Sequence, residues 1–216
     1  MKKKLYNYHG EKIEVSYDLM RCIHAAECVR GLPQVFDTNK RPWIELGQAG
    51  ADELASVIMR CPTGSLHFER TDGGVDEPIP EENTITVVPD GPLYLRGDIE
   101  IVEPEGTFKD TRVALCRCGL SKNKPLCDNS HLKGGFQADG EMAGKKSGSE
   151  DHLIGGTLWV TPVPNGPIQI TGNFEIRDPD GKMIFRGKKA RLCRYGGSQN
   201  KPFCDGTHRE IAFSSE

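Results

Sequence analysis

Three cysteines and one histidine lie close together near the middle of the chain. Residues 116 to 131 read CRCGLSKNKPLCDNSH and contain Cys116, Cys118, Cys127 and His131. Thiolate sulfur and imidazole nitrogen bind zinc and the iron of iron-sulfur clusters, and four such ligands complete a set. One helical turn would place Cys127 and His131 on the same face, with Asp128 as its cap. Ligand spacing alone leaves structural zinc and an iron-sulfur cluster as alternatives.

A second copy of this stretch lies near the end of the chain. Residues 193 to 208 read CRYGGSQNKPFCDGTH and align with the first copy without a gap. Three of the four ligand positions are kept, at Cys193, Cys204 and His208. Tyr195 stands where the first copy has Cys118; a phenolate can ligate iron, so Tyr195 either completes the set or packs beside the loop. We predict a second metal site here and leave the role of Tyr195 open.

The remaining cysteines lie in the first third of the chain and have ferredoxin-like spacing. They are Cys22, Cys28 and Cys61. A bacterial ferredoxin uses C-x2-C-x2-C with a distant Cys-Pro, and here Pro62 follows the last cysteine while Ala25 holds the middle position. The alternative is that these three are small buried hydrophobic residues. Three predicted sites would use all eight cysteines of the chain.

Composition narrows the class of protein. The chain has 216 residues, a formal net charge of −3 and 36% hydrophobic residues, which favours small metal-stabilised domains over one large core. Without a basic stripe we expect no nucleic-acid partner. Without a long apolar segment or a signal peptide we expect no membrane association and a cytoplasmic location. That compartment keeps thiols reduced, so metal ligation accounts for the cysteines better than disulfides.

The elements that must position these ligands fall into a repeat and a different N-terminal unit. VVPDGPLYLRGDIEI (87 to 101) matches PVPNGPIQITGNFEI (162 to 176), and each copy predicts short strands ahead of its cysteine motif. A polar, Gly/Ser-rich segment at 138 to 151 is predicted as an exposed loop between the copies.

The first 70 residues predict an α+β unit. We expect strands at 12–18 and 41–46, followed by a helix capped by Asp52 and ended by Pro62. Its apolar face would be Leu54, Val57, Ile58 and Cys61. The acidic segment 71–83 is the predicted boundary. The fold class is therefore α+β, with domains at 1–70, 84–137 and 152–216.

The sixteen-residue motif resembles that of the CDGSH iron-sulfur family, C-x-C-x2-S/T-x3-P-x-C-D-G-S-H, and only Asn129 departs from it. The resemblance implies a [2Fe-2S] cluster, with Cys116 and Cys118 on one iron and Cys127 and His131 on the other. CDGSH proteins with one motif pair as homodimers. The two β-rich repeats are therefore expected to form a pseudo-two-fold unit resembling an intramolecular dimer, within a monomer.

The N-terminal stretch resembles the divergent single-cluster ferredoxin domain often joined to CDGSH domains, through VFD, RPWI and CPTGSL together with its cysteines. This resemblance implies a small ferredoxin-like fold. It also implies a [3Fe-4S] cluster, or a [4Fe-4S] cluster with an unusual fourth ligand, for which His24 is the candidate.

These sites predict a one-electron carrier. We find no catalytic triad, phosphate loop or paired carboxylates, so we expect no enzyme activity. The partner would be an unidentified redox protein or, if the protein instead delivers clusters or senses redox state or pH, an apo iron-sulfur acceptor. A zinc-stapled interaction module is the remaining alternative.

Overall fold

The chain divides into two units, Met1–Pro78 and Ile79–Glu216. The computed structural model describes residues 3–104, 106–140 and 155–215. The division between the units lies inside the segment 71–83 that the sequence marks as a boundary. Both repeats belong to the second unit and share one sheet. Most of the predicted loop at 138–151 and the start of the domain predicted at 152 lie outside the described residues.

The first unit is built on a three-stranded antiparallel sheet in the order β1–β2–β3. Its strands are β1 (Leu5–His9), β2 (Ile13–Asp18) and β3 (Leu66–Arg70), with helices α1 (Glu27–Gly31) and α2 (Ala51–Ile58). Two 3-10 turns, Leu19–Arg21 and Leu46–Gln48, complete it. Alternate residues of β2 are buried against the apolar face of α2 because successive strand side chains point to opposite faces. The predicted strand at 12–18 is confirmed.

The second strand predicted in this unit is wrong. Residues 41–46 form only an isolated bridge between Phe36 and Ile44. The chain folds back on itself there, with the Asp37 amide donating to the Trp43 carbonyl at 2.8 Å. Because Pro42 has no N–H group, this segment cannot extend a ladder of hydrogen bonds.

The helix predicted after Asp52 is present, but its cap differs and it ends at Ile58, before Pro62. Gly50 is the N-cap, and the Glu53 carboxylate accepts a hydrogen bond from the Gly50 amide at 3.1 Å. Asp52 lies inside the first turn, where its carboxylate accepts from Arg70 Nη1 at 2.6 Å. The prediction of a buried apolar face is confirmed for Leu54, Val57 and Ile58, whereas Cys61 lies beyond the helix and is half-buried.

The second unit is a six-stranded sheet to which each repeat contributes three strands. The first repeat gives β4 (Thr84–Val87), β5 (Leu93–Glu103) and β6 (Gly106–Leu115); the second gives β7 (Leu158–Pro162), β8 (Ile168–Arg177) and β9 (Met183–Leu192). Helix α3 (Ser130–Lys133) and a 3-10 turn (Thr207–Arg209) follow the two cysteine loops. Alternating apolar residues in the strands of both repeats are fully buried, at Leu93, Leu95, Ile168 and Ile170.

The first strand of each repeat lies between strands of both repeats. Strand β4 pairs antiparallel with β5 and parallel with β8, while β7 pairs antiparallel with β8 and parallel with β5. The core below the sheet consequently mixes side chains from both copies, including Ile85, Leu95, Ile101, Ile170 and Phe174. Among the described residues, no helix is long and apolar enough to cross a membrane.

Candidate metal centres

The two cysteine loops have the same backbone construction. The Cys116 amide donates to the Pro125 carbonyl at 2.8 Å, and the Cys193 amide donates to that of Pro202 at 2.9 Å. Ser121 Oγ donates to the Leu126 carbonyl at 2.6 Å, and its counterpart in the second loop makes the same bond at 2.6 Å. The loops therefore hold their ligand positions alike, and differences between the sites come from the side chains.

The first motif brings its four predicted ligands together in two pairs. Cys116 Sγ and Cys118 Sγ are 3.7 Å apart, and Cys127 Sγ lies 3.4 Å from His131 Nδ1. All four side chains are buried. Backbone amides also point at the sulfurs, with Leu120 N at 3.4 Å from Cys118 Sγ and Asn129 N at 3.5 Å from Cys127 Sγ. Such N–H donors stabilise negative charge on sulfur.

The pair distances fit metal coordination. A tetrahedral metal with bonds of about 2.3 Å to sulfur and about 2.05 Å to nitrogen holds two sulfurs roughly 3.8 Å apart and a sulfur and a nitrogen roughly 3.6 Å apart. Each pair in the first motif therefore suits one metal ion. No group of three or more His, Cys, Asp or Glu side chains in the part of the chain that the structure describes is arranged around a single metal ion. Two pairs match the two irons of a [2Fe-2S] cluster.

Electrostatics at the first motif favour a bound cation. The shared hydrogen bond with Cys118 lowers the pKa of Cys116 to about 6, so this pair carries one negative charge readily. Burial raises the pKa of Cys127 to about 12, so ionising this thiol without a nearby cation is costly. Burial also lowers the pKa of His131, which keeps the imidazole neutral as a ligand must be.

The guanidinium group of Arg117, in the first motif, is buried and has one N–H donor without a partner among the described residues. Arg117 is 1% exposed, and its Nε and Nη2 donate to the carbonyls of Gly91 and Val88 at 3.0 and 2.5 Å. Its Nη1 is buried with no hydrogen-bond partner among the described residues. The thiol whose charge acts most strongly on Arg117 is Cys193 of the second motif, and Cys118 of the first motif acts less. This donor is therefore not specific to the first motif. The four ligands of the first motif fit a [2Fe-2S] cluster.

The helical turn predicted to carry both Cys127 and His131 is wrong: only His131 lies in a helix, and the cap also differs from the prediction. Helix α3 begins at Ser130 with Asn129 as N-cap, and the left-handed φ of 69° at Asn129 is a conformation that Asn tolerates. The Asp128 carboxylate accepts hydrogen bonds from the amides of Lys122 and Ser130, at 2.8 and 3.0 Å. Asp128 thus ties the helix start to the loop from one position before the observed N-cap.

The second motif has a different side-chain arrangement. The Tyr195 hydroxyl donates to Asp205 Oδ1 at 2.9 Å and lies 3.4 Å from Cys204 Sγ. His208 Nδ1 lies 2.9 Å from the Asn165 carbonyl. Burial and hydrogen bonding raise the pKa of Tyr195, so its phenol stays protonated. Whether Cys193 and these neighbours hold a second cluster stays a prediction.

The three N-terminal cysteines line one small cavity. Cys22, Cys28 and Cys61 surround it, and Ala25 lies at the position of the missing middle ligand. Burial and the neighbouring Cys61 thiol raise the pKa of Cys28 to about 11. This clustering of thiols supports the predicted site, and a cation would favour their ionised forms.

His24 does not line that cavity. Its side chain is exposed, and it borders a separate, larger pocket of about 720 Å³ that Cys22 and Cys28 also border. Positive φ values at His24 and Ala26, 55° and 63°, shape the loop between the two cysteines. Thr63 Oγ1 instead lies 3.5 Å from Cys61 Sγ at the edge of that cavity. Tyr17 also reaches the thiols and hydrogen-bonds Cys22. Its inward position on β2 was the available signal for it.

Ligand spacing in the sequence did not predict two buried arginines as residues of these sites. Arg117 and Arg194 each follow the first cysteine of a motif, and Arg194 is 2% exposed. Burial lowers the pKa of Arg194, and the opposing influence comes from Cys116 in the other repeat. The sequence signal that could have identified them is an arginine directly after the first cysteine in both copies of the motif.

Comparisons with known proteins match both parts of the chain. A family model described as "Divergent 4Fe-4S mono-cluster" matches residues 8–71. One described as "Iron-binding zinc finger CDGSH type" matches residues 90–132 and 165–209. The uncharacterized protein YjdI of Escherichia coli strain K12 is 36% identical over 61 residues, which are 28% of this chain and 80% of that protein. Its counterpart in E. coli O157:H7 matches equally.

No solved structure gives a significant match to the chain. The family matches coincide with the three cysteine regions, and the geometry of the first motif agrees with them. The chain therefore contains two segments of the CDGSH family, preceded by a divergent 4Fe-4S mono-cluster domain.

Proposed function

We propose that this protein is a one-electron carrier whose first CDGSH motif binds a [2Fe-2S] cluster. The observation that carries the proposal is the division of the four buried ligands into two pairs, each at a separation suited to one metal ion. A bound [2Fe-2S] cluster takes up and releases single electrons. The family matches support iron-sulfur binding, and the pairing favours two irons over one zinc.

The side chains of the first motif have distinct roles in this proposal. Cys116 and Cys118 supply two thiolates, while Cys127 and His131 supply one thiolate and one neutral imidazole. A neutral ligand in place of a thiolate makes the site less negative, which favours uptake of an electron. The amides of Leu120 and Asn129 stabilise sulfur charge in the same direction.

In the N-terminal domain we propose that Cys22, Cys28 and Cys61 hold a [3Fe-4S] cluster, or a [4Fe-4S] cluster with one iron lacking a cysteine. The support is the cavity that all three thiols line and the alanine at the fourth position. Tyr17 would donate a hydrogen bond to Cys22 there. The ferredoxin-like fold of this domain belongs to the same proposal.

We further propose that the two repeats form a pseudo-two-fold unit within a monomer. Reciprocal contacts support it: Lys201 Nζ lies 6.0 Å from the centre of the Phe136 ring, and Lys124 Nζ lies 6.0 Å from that of Phe213. Cys118 and Tyr195, which occupy equivalent positions, form a β-bridge with each other.

We also propose that the partner is a redox protein of the cytoplasm, because the reducing conditions of that compartment suit free thiols.

Metal and redox analysis of anaerobically purified protein tests this function. We expect iron and acid-labile sulfide, visible absorption, and repeated reduction and reoxidation without loss of iron. The Cys127→Ser variant should lose the [2Fe-2S] signal, while Cys61→Ser should keep it. Transfer of the cluster to an apo acceptor, without reversible cycling, would replace electron transfer by cluster delivery. Colourless protein containing zinc would refute both.

A further inference from the structure

The two CDGSH motifs permit an internal comparison, because their loops share one backbone construction and differ at a few side chains. The amide of each motif's last cysteine makes the same contact, with Cys127 N donating to the Ala114 carbonyl at 2.9 Å and Cys204 N to that of Arg191 at 2.8 Å. Any difference in ligand geometry therefore reflects the side chains themselves.

The Tyr195 side chain points to a different part of its motif than its counterpart in the first motif, Cys118. Cys118 Sγ stays with Cys116 Sγ on its own arm of the first motif, 3.7 Å away. The Tyr195 hydroxyl reaches instead to the opposite arm of the second motif, where it contacts Cys204 Sγ at 3.4 Å and Asp205 Oδ1 at 2.9 Å. A two-iron cluster has to fit between the two arms. In the second motif the phenol ring and its hydrogen bonds already join them.

The histidine of the second motif uses its nitrogen elsewhere. His131 Nδ1 faces Cys127 Sγ at 3.4 Å, whereas His208 Nδ1 lies 2.9 Å from the Asn165 carbonyl. A carbonyl oxygen has no proton to donate, so His208 Nδ1 must carry the hydrogen of that bond. A nitrogen that carries a hydrogen has no lone pair for a metal, and the equivalent coordination is absent.

The remaining ligand positions of the second motif differ in exposure. Cys193 is fully buried. Cys204 and His208 line an outward pocket of about 400 Å³, to which neither Cys193 nor Tyr195 contributes. In the first motif the corresponding four side chains are all buried. In the second motif, Cys193 is thus fully buried, while Cys204 and His208 border an open pocket.

We propose that the second CDGSH motif binds no cluster and that Tyr195 closes it, so that the CDGSH unit holds one [2Fe-2S] cluster, in the first motif. The proposal rests on the proposed function of the first motif. The second repeat then serves the first, since it completes the shared sheet. The two repeats would then share one backbone construction but differ in cluster content.

Iron and acid-labile sulfide counts on the full holoprotein test the proposal. We expect Cys204→Ser to keep the wild-type content, and the matched variant Cys127→Ser to lose about two irons and about two sulfides per chain. Tyr195→Cys should gain about two of each, because it restores the complete ligand set. Mössbauer spectra of ⁵⁷Fe-labelled wild type should show about two irons, not four, in histidine-ligated [2Fe-2S] form. This last measurement needs no variant.

The possible failures are distinguishable. Loss of about two irons in Cys204→Ser, or four [2Fe-2S] irons in the wild-type Mössbauer spectrum, would overturn the inference while leaving the proposed function intact. Unchanged content in a folded Tyr195→Cys protein would overturn the assignment of closure to Tyr195. Unchanged content in Cys127→Ser would overturn the proposed function of the first motif. Circular dichroism of each variant checks that it is folded.

Discussion

Replacing His131 by cysteine should lower the reduction potential of the [2Fe-2S] cluster. His131 is the neutral ligand among three thiolates and is 7% exposed, so a thiolate in its place would add one negative charge that water screens poorly. Clusters with two histidines have potentials about 250–700 mV above those with four cysteines, so one replacement should lower the potential by roughly 100–350 mV.

Spectroelectrochemical titration at pH 7 measures this shift. His208→Cys is the matched control, because His208 occupies the equivalent position and its Nδ1 is bonded to the Asn165 carbonyl. We expect the control to leave the [2Fe-2S] potential close to that of the wild type, because His208 is not a ligand of that cluster. A His131→Cys potential that is unchanged or raised would refute the assignment of His131 as a ligand.

Three further predictions concern stability and the N-terminal site. The pKa of Glu175 is lowered because hydrogen bonds from Arg186 and Arg177 outweigh the opposing effect of burial. The contribution of Glu175 to the free energy of unfolding is therefore complete above its unfolded pKa of about 4.3. It is lost as pH falls through the lower pKa of the folded state. Glu175→Gln should thus cost about 1–3 kcal/mol at pH 7 and progressively less toward pH 3, measured by urea unfolding; a constant difference would contradict this. Gly119 has φ of 84°, and an added Cβ would lie 2.9 Å from the Tyr195 carbonyl oxygen, so Gly119→Ala should lower the free energy of unfolding by about 1–3 kcal/mol. Cys61→Ser should remove about three or four irons and leave the histidine-ligated [2Fe-2S] absorption unchanged; loss of both signals would show that the sites are not independent.

Much of the candidate site could be predicted because metal ligation demands particular side chains at particular intervals. Cys116, Cys118, Cys127 and His131 were identifiable from spacing, and the left-handed backbone at Asn129 agrees with what that residue tolerates. The same holds for local elements with strong periodicity, such as the buried face of α2. Errors arose where local signals competed: Asp52 has the chemistry of a cap, but Glu53 bonds the Gly50 amide and Asp52 pairs with Arg70.

Contacts between distant parts of the chain were not predictable in this way. The placement of β4 and β7 between strands of both repeats depends on pairing across the whole second unit, for which a duplicated sequence offers two equivalent partners. The side-chain position of His24 was likewise not predictable from the sequence. His24 has a positive φ, and its side chain does not line the cavity of the three cysteines.

The amino-acid sequence by itself determined which atoms are available to bind iron, how many sets there are, and that two of them came from a duplication. It could do so because ligand chemistry resides in side-chain type and loop length. Only the tertiary structure decided which of those atoms meet. The contact of His208 with Asn165, 43 residues away, and the reach of Tyr195 across to Cys204 depend on side-chain directions that packing selects. Two nearly identical loops can therefore end in different chemical environments.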